Sequence, residues 1–370
     1  MSVPPVKWAD AQTVVLAPPE AAPAAWKELA QAVVWGALNP ERRERFRSPT
    51  TPSVLDSLTV TTEDGWTVPL LRRPAFAGAS GEPIILASSA HLSPESMDAF
   101  AEDSLVHALH GAGYDVFLFR NRGCRQAVRP QGIATFDFDD MVAHDVPAAI
   151  DEVRRITGAT RVAWLGHGLG GQLLVGLLGS RVSRSIAAGV VLGSPVQFRP
   201  LGTTARRAAA VARALPSHWR LPLQRVQRLL TVASRPMDVA PLSRRIAGPR
   251  ARGLMMDCGT DIAMGLAQQV ALWHEVGHLV DRDNRFDYVA GLAGLDTPMM
   301  TVAASGDPMC SPAAAKPVHH SLIHPDRALI ELGHDWSHLD LIAGSDAATQ
   351  LFPQIIAWLE SFRSHCWTSE

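Results

Sequence analysis

Residues 164–171 read WLGHGLGG, an apolar run that ends among glycines. A serine in place of Gly168 would make this G-x-S-x-G, the strand-to-helix turn that lifts a reactive hydroxyl above a sheet. Glycine leaves the position bare, so no covalent acyl intermediate can form on residue 168. Chemistry at the turn must therefore come from elsewhere in the chain. Downstream, ASGDP places Asp307, and ELGHDWSHLDL places His334 and His338, just past two apolar runs of strand character. A carboxylate that accepts the Nδ1–H of an imidazole fixes its tautomer and leaves Nε2 to accept a proton. Asp307 with His338 or His334 is thus a candidate general-base pair.

Two other motifs compete for the same residues or the same kind of chemistry. Gly166, Gly168 and Gly171 also spell G-x-G-x-x-G between a strand and a helix, as a dinucleotide site requires. Such a site needs an acidic residue near the end of the next strand to hold the ribose. IAAGVVLGSPV supplies none, so no nicotinamide or flavin cofactor is expected. His274, Glu275 and His278 form H-E-x-x-H, which on a helix aims two imidazoles at one zinc ion. Asp281 and Arg282 stand where the extended zinc pattern wants other residues. These histidines read as the polar face of a helix, with no metal expected. Cys124, Cys258, Cys310 and Cys366 lack metal-ligand or C-x-x-C spacing, which fits reduced thiols in a cytoplasm.

With 370 residues, 47% of them hydrophobic and 19% charged, the chain is long enough for one large core or two smaller ones. A net charge of -2 argues against a globally basic nucleic-acid binder. The opening MSVPPVKWAD lacks the basic start and apolar run of an export signal, and no apolar stretch reaches membrane-spanning length, so a soluble cytoplasmic protein is expected.

The elements that would position these residues follow a strand-helix rhythm. Residues 1–50 form an arm with one helix over 24–38. LDSLTV, the turn EDG and WTVPLL read as a hairpin. Strands at 83–89, 114–119, 161–166 and 186–194 then alternate with helices at 93–111, 145–158 and 169–178, the order of a mostly parallel sheet. Residues 197–290 break the rhythm, being helical in period without a convincing strand. Strands at 298–305 and 327–332 and a helix over 346–362 restore it. The division is an arm (1–50), a first core segment (51–197), a helical insertion (198–290) and a second core segment (291–370).

GYDVFLFRNRG, FDFDDMVAHDVPAAIDEV, the glycine turn, SGDP and SHLDLIAGSDA together resemble the acid-lipase branch of the α/β-hydrolase superfamily, including bacterial lipase- and esterase-like proteins. The resemblance covers roughly 54–363 and is thin across the insertion. It implies an α/β-hydrolase fold: an eight-stranded, mostly parallel sheet flanked by helices, with a helical cap over the site. By the same likeness Asp307 matches the acid and His338, in HLDL, the catalytic histidine. His334 stays a rival, because many smaller members carry the histidine directly after a glycine. Gly166, His167 and Gly170 frame the turn, which in the family is the nucleophile elbow. Two departures stand out: Gly168 replaces the serine, and Ser88-Ser89 before Ala90 replaces the HG pair that shapes the oxyanion hole. Backbone N–H groups of Leu169 and of Ser89 or Ala90 would be the remaining donors.

Three routes fit such a site. The space vacated at residue 168 holds a water activated by His338–Asp307, or the pair abstracts a substrate proton. Another residue, from among Ser88, Ser89, Ser194 and Cys124, supplies the nucleophile. Or the pocket binds without catalysis, as a silent interaction protein. The implied ligand is an acyl or ester-like small molecule. Eleven arginines against the single acid Asp238 between 206 and 252, interleaved with apolar residues, suggest contact with anionic ligands or a membrane surface.

Overall fold

Burial on both faces is what makes the central strands almost uniformly apolar, since a parallel sheet is covered by helices above and below. The computed structural model describes residues 55–361 apart from 125, 133–134, 181–184, 222–242, 247–250, 252 and 255–257. Residues 1–50, with the expected arm helix, and Cys366 lie outside that range.

The hairpin is present as β1 (Asp56–Thr61) and β2 (Thr67–Arg73), paired antiparallel from Asp56 opposite Arg72 to Thr61 opposite Thr67. Then come β3 (Pro83–Ala87), α1 (Leu105–Gly111), β4 (Asp115–Phe119), α2 (Val146–Thr157), β5 (Val162–His167), α3 (Leu169–Gly179) and β6 (Ile186–Leu192). After a long excursion the chain returns as β7 (Met299–Ala304), α6 (Pro312–Ser321), β8 (Ala328–Leu332) and α7 (Phe352–Glu360). The excursion itself carries α4 (Thr203–Ala214) and α5 (Met264–Val276).

The sheet has eight strands in the order β1-β2-β4-β3-β5-β6-β7-β8. β1, β2 and β4 pair antiparallel, and β4 through β8 run parallel. Successive side chains of a strand point to opposite faces, and the sequence obeys this. Ile84, Leu86, Val116, Leu118, Ala163 and Leu165 pack with α1 and α7 on one face. Ile85, Phe117, Phe119, Val162 and Trp164 pack with α2 and α3 on the other. Truncating a fully buried member such as Leu86 to Ala is expected to cost roughly 2–5 kcal/mol.

Three expectations about elements need correction. The single helix over 93–111 is instead a 3-10 turn at Pro94–Asp98 and the short α1, broken where Phe100 takes φ 73° and where the Ser104 side chain caps the new start by accepting from the His107 N–H. The excursion is not wholly helical, since Arg220–Leu221 and Ile262–Ala263 pair as a two-residue antiparallel ribbon. Helix α6 was not expected, because Pro312 and Pro317 punctuate its sequence. Pro312 stands in its first turn, where the missing N–H costs little.

Candidate active site

The turn between β5 and α3 is held by close packing that leaves no room for side chains. Gly168 has φ 54° and ψ -115°, a left-handed conformation natural to glycine, and its N–H donates to the Leu192 carbonyl. A Cβ on Gly170 would fall 2.1 Å from the Ala87 carbonyl oxygen, so the start of α3 rests directly on the end of β3. In this way the register of parallel β3 and β5, with Ala87 opposite Gly166, carries into the loops beyond. Two residues past each partner stand Ser89 and Gly168.

The acid and the histidine converge above this turn. Asp307, after β7, and His338, after β8, meet with Nδ1 2.7 Å from Oδ2, both side chains almost wholly buried. The other carboxylate oxygen of Asp307 accepts the N–H groups of Met309 (2.7 Å) and Cys310 (3.0 Å), which fixes the acid in place. His334 is exposed, and among its groups the backbone carbonyl serves Arg244, so the geometry brings His338 and not His334 to Asp307.

The space over Gly168 is not open. A Cβ built there would lie 2.3 Å from Ser89 Oγ. The expected water-sized vacancy is absent because the neighbouring loop fills it. Ser89 Oγ stands 3.0 Å from His338 Nε2 and 3.0 Å from Nδ1 of His167, whose Nε2 lies 3.1 Å from the His338 carbonyl oxygen. A carbonyl only accepts, so His167 carries its proton on Nε2 and turns the Nδ1 lone pair toward Ser89.

Beside this cluster a small cleft of mixed character is bordered by Phe119, Leu169 and Leu266 and by Arg120, Asn121 and Asp261, with Ala90 also in its lining. The N–H groups of Ala90 and Leu169 donate to no acceptor among the described residues. An oxyanion is stabilised by N–H groups that have no other acceptor.

Residues 86–322 match the alpha/beta hydrolase fold family. The chain belongs to the α/β-hydrolase family. Human lipase member N is 31% identical over 124 residues, which make up 30% of this chain and 31% of that protein. Human gastric triacylglycerol lipase is 32% identical over 124 residues, again 30% of this chain and 31% of the relative. The matched segment thus spans under a third of these curated relatives. Among solved structures, a soluble variant of monoglyceride lipase from Saccharomyces cerevisiae in complex with a substrate analog superposes with TM-score 0.62, at 14% identity over 87% of this chain and 99% of that one. A monoacylglycerol lipase from Paleococcus ferrophilus gives TM-score 0.57, at 15% identity over 80% of this chain and 99% of the other. At such identities the likeness is one of fold.

Within this α/β-hydrolase, electrostatics separates the three buried imidazoles near the turn. Burial, with His338 close by, pushes His91 down to about 3, and its Nε2 has no partner among the described residues. Burial likewise holds His167 well below the ordinary imidazole range, with His338 and His91 adding to the effect. Neither can readily carry charge. His338 alone faces a carboxylate.

One supporting residue escaped the sequence reading. Asp340, two residues past His338, accepts from Ser243 Oγ (2.6 Å), Ser337 N (2.8 Å), Arg244 N (2.9 Å) and Arg245 N (3.1 Å). It ties the histidine loop to the excursion between β6 and β7. The motif HLDL held the signal, because an acid in an otherwise apolar, buried stretch must find donors.

The competing zinc motif does not assemble. Helix α5 ends at Val276 and Gly277 turns left-handed, so His278 leaves the helix on which the two imidazoles would have to align. His274 Nδ1 lies 2.8 Å from the Arg199 carbonyl, and Glu275 pairs with Arg213. The arginine-rich stretch is likewise partly engaged. Arg220 donates to the Gly123 carbonyl and Arg244 to the His334 carbonyl, while Arg245 pairs with Asp335 and Asp346. Residues 222–242 of that stretch lie outside the described range.

Proposed function

We propose that this protein hydrolyses an acyl ester or similar small molecule with an apolar tail, using His338 as proton acceptor and donor and Asp307 to orient it. The observation that carries the reading is the buried Asp307–His338 hydrogen bond, with Nε2 directed to the mouth of the turn. Proton transfer to Nε2 makes an imidazolium that the adjacent carboxylate stabilises. The unpaired N–H groups of Ala90 and Leu169 would receive the negative oxygen of the tetrahedral intermediate. Phe119, Leu169 and Leu266 give the cleft an apolar side for the acyl chain, and sequence likeness to proteins named as lipases supports the ester class. No metal or cofactor enters this scheme, and Thr260, Asp261, Ile262 and Leu266, from the segment between β6 and β7, border the cleft.

A second reading, a binding protein without turnover, has one observation in its favour: Ser89 and the three imidazoles are closely packed and buried. Esters of p-nitrophenol with acyl chains of increasing length separate the two. Hydrolysis that rises with chain length and disappears in His338→Ala supports the catalytic reading. Saturable binding of the same acyl chains with no turnover in either protein supports the other.

A further inference from the structure

An α/β-hydrolase without a hydroxyl on its elbow needs an attacking atom, and four side chains near the strand ends have the right chemistry. Ser88 Oγ donates to the Leu92 carbonyl at 2.7 Å, and Ser194 Oγ to the Leu192 carbonyl at 3.0 Å, so both hydroxyl protons point to backbone oxygens. Burial raises the thiol of Cys124, which works against the reactive thiolate. Ser89 differs from all three because its Oγ faces His338 Nε2 at 3.0 Å.

Position makes the case stronger. The Cβ of a residue at 168 would lie 2.3 Å from Ser89 Oγ and 3.1 Å from Ser89 Cβ, so this hydroxyl occupies the place an elbow side chain would take. A side chain at 168 would force the Ser89 hydroxyl out of its present position. The register of β3 and β5 explains how the exchange is possible, since residues 89 and 168 are equivalent points on adjacent parallel loops. The donors trade roles in the same way: Ala90 becomes the residue after the nucleophile, and Leu169 becomes the donor from the neighbouring loop.

We propose that Ser89 is the nucleophile, carried on the loop after β3 in place of the elbow and activated by His338 and Asp307. This rests on the acyl-ester reading above. His338 Nε2 takes the hydroxyl proton as Oγ bonds to the ester carbonyl carbon, and the carbonyl electron pair moves to oxygen. Collapse of that intermediate breaks the bond to the alcohol oxygen, which leaves with the proton from His338. Water then attacks the acyl carbon, gives its proton to Nε2, and releases the carboxylic acid as the proton returns to Ser89 Oγ. No oxidant or metal is needed. His167 is a positioning residue: the hydroxyl has one proton for two lone pairs, and the uncharged, buried His167 accepts it at rest while His338 accepts it during attack.

The test is to treat the full chain with a fluorophosphonate and map the modified residue by mass spectrometry. The expected result is phosphonylation of Ser89, absent in Ser89→Ala and in His338→Ala, with ester hydrolysis by Ser89→Ala reduced on the order of 10³-fold or more. Mapping on the unaltered chain needs no variant, so a misfolded Ser89→Ala protein does not decide the matter. For His167→Asn the expected change is a shifted pH profile of hydrolysis with labelling retained. Modification of Ser88, Ser194 or any other serine overturns the proposal. So does wild-type turnover without labelling that persists within threefold in folded Ser89→Ala, which would assign attack to water and leave the acyl-ester reading standing. A chain that neither labels nor hydrolyses any ester overturns both.

Discussion

Of two buried clusters among the described residues, the one around Arg122 closes on itself and the one around His338 keeps an open valence. Arg122, 1% exposed, donates to Asp145 through its backbone N–H (3.0 Å) and Nε (2.8 Å) and to Asp64 through both terminal nitrogens (2.7 and 3.0 Å), with its guanidinium 5.1 Å from the Trp66 ring centre. That network satisfies itself and points at nothing. The Asp307–His338 pair is as deeply buried, yet it ends on Nε2, a lone pair directed at a hydroxyl beside unpaired N–H donors. Burial lifts Asp145 to about 6, so a displaced carboxyl titration marks the structural cluster as readily as a reactive one. What distinguishes a site here is the unspent hydrogen-bonding capacity of one group, not the perturbation of charge.

Substitutions can break or sharpen that contrast. The largest expected effect is at the reactive pair, where His338→Ala should lower ester hydrolysis on the order of 10⁶-fold in steady-state assays. The protein should stay folded by circular dichroism. Arg122→Met should do the reverse. It leaves Asp145 buried and uncompensated, costing roughly 3–5 kcal/mol in denaturant unfolding, while turnover per folded molecule stays near wild type. Gly168→Ser sets a new side chain against Ser89 Oγ and should destabilise by about 1–3 kcal/mol. Adding Ser89→Gly should recover the part owed to that contact and leave the cost of a side chain at φ 54°, as urea midpoints would show.

A further effect, spread over several pH units, concerns pH. His91 is held neutral down to about 3 in the folded chain, whereas an unfolded histidine protonates near 6.5. Between those values the unfolded state binds a proton that the folded state does not, so the His91 contribution is present above about pH 6.5 and is lost as pH falls toward 3. Its share of the slope is about 1.4 kcal/mol per pH unit. Unfolding curves of wild type and His91→Leu across this window should differ by that slope. The smallest change is expected for Glu275→Gln, which removes an exposed pair with Arg213 and should cost less than about 1 kcal/mol in thermal unfolding.

Much of the scaffold was legible because local chemistry dictates it. Runs such as RVAWLG and PMMTVAA are apolar but for Arg161 and Thr301, as strands covered on both faces require, and Gly158 at φ 73° ends α2 where the sequence places a stop. Asp307 and His338 were legible as candidates from their place after strands. Position alone left His334 a rival partner for Asp307, and the arrangement of the loops after β7 and β8 decides between them. The break at Phe100 carries no signal in residue type, since an aromatic residue is a poor guide to a left-handed backbone. Ser89 was legible only as one of four hydroxyls or thiols. Its selection depends on the register between β3 and β5, which lies outside the reach of any single stretch of sequence.

Asp307→Asn offers the most direct measurement of the central claim, with ester hydrolysis and unfolding free energy determined on the same preparation. An orienting carboxylate predicts a loss of rate on the order of 10⁴-fold with the fold retained and the imidazole left in the wrong tautomer. A variant that hydrolyses esters at the wild-type rate, or loses rate only in proportion to the fraction unfolded, would contradict it.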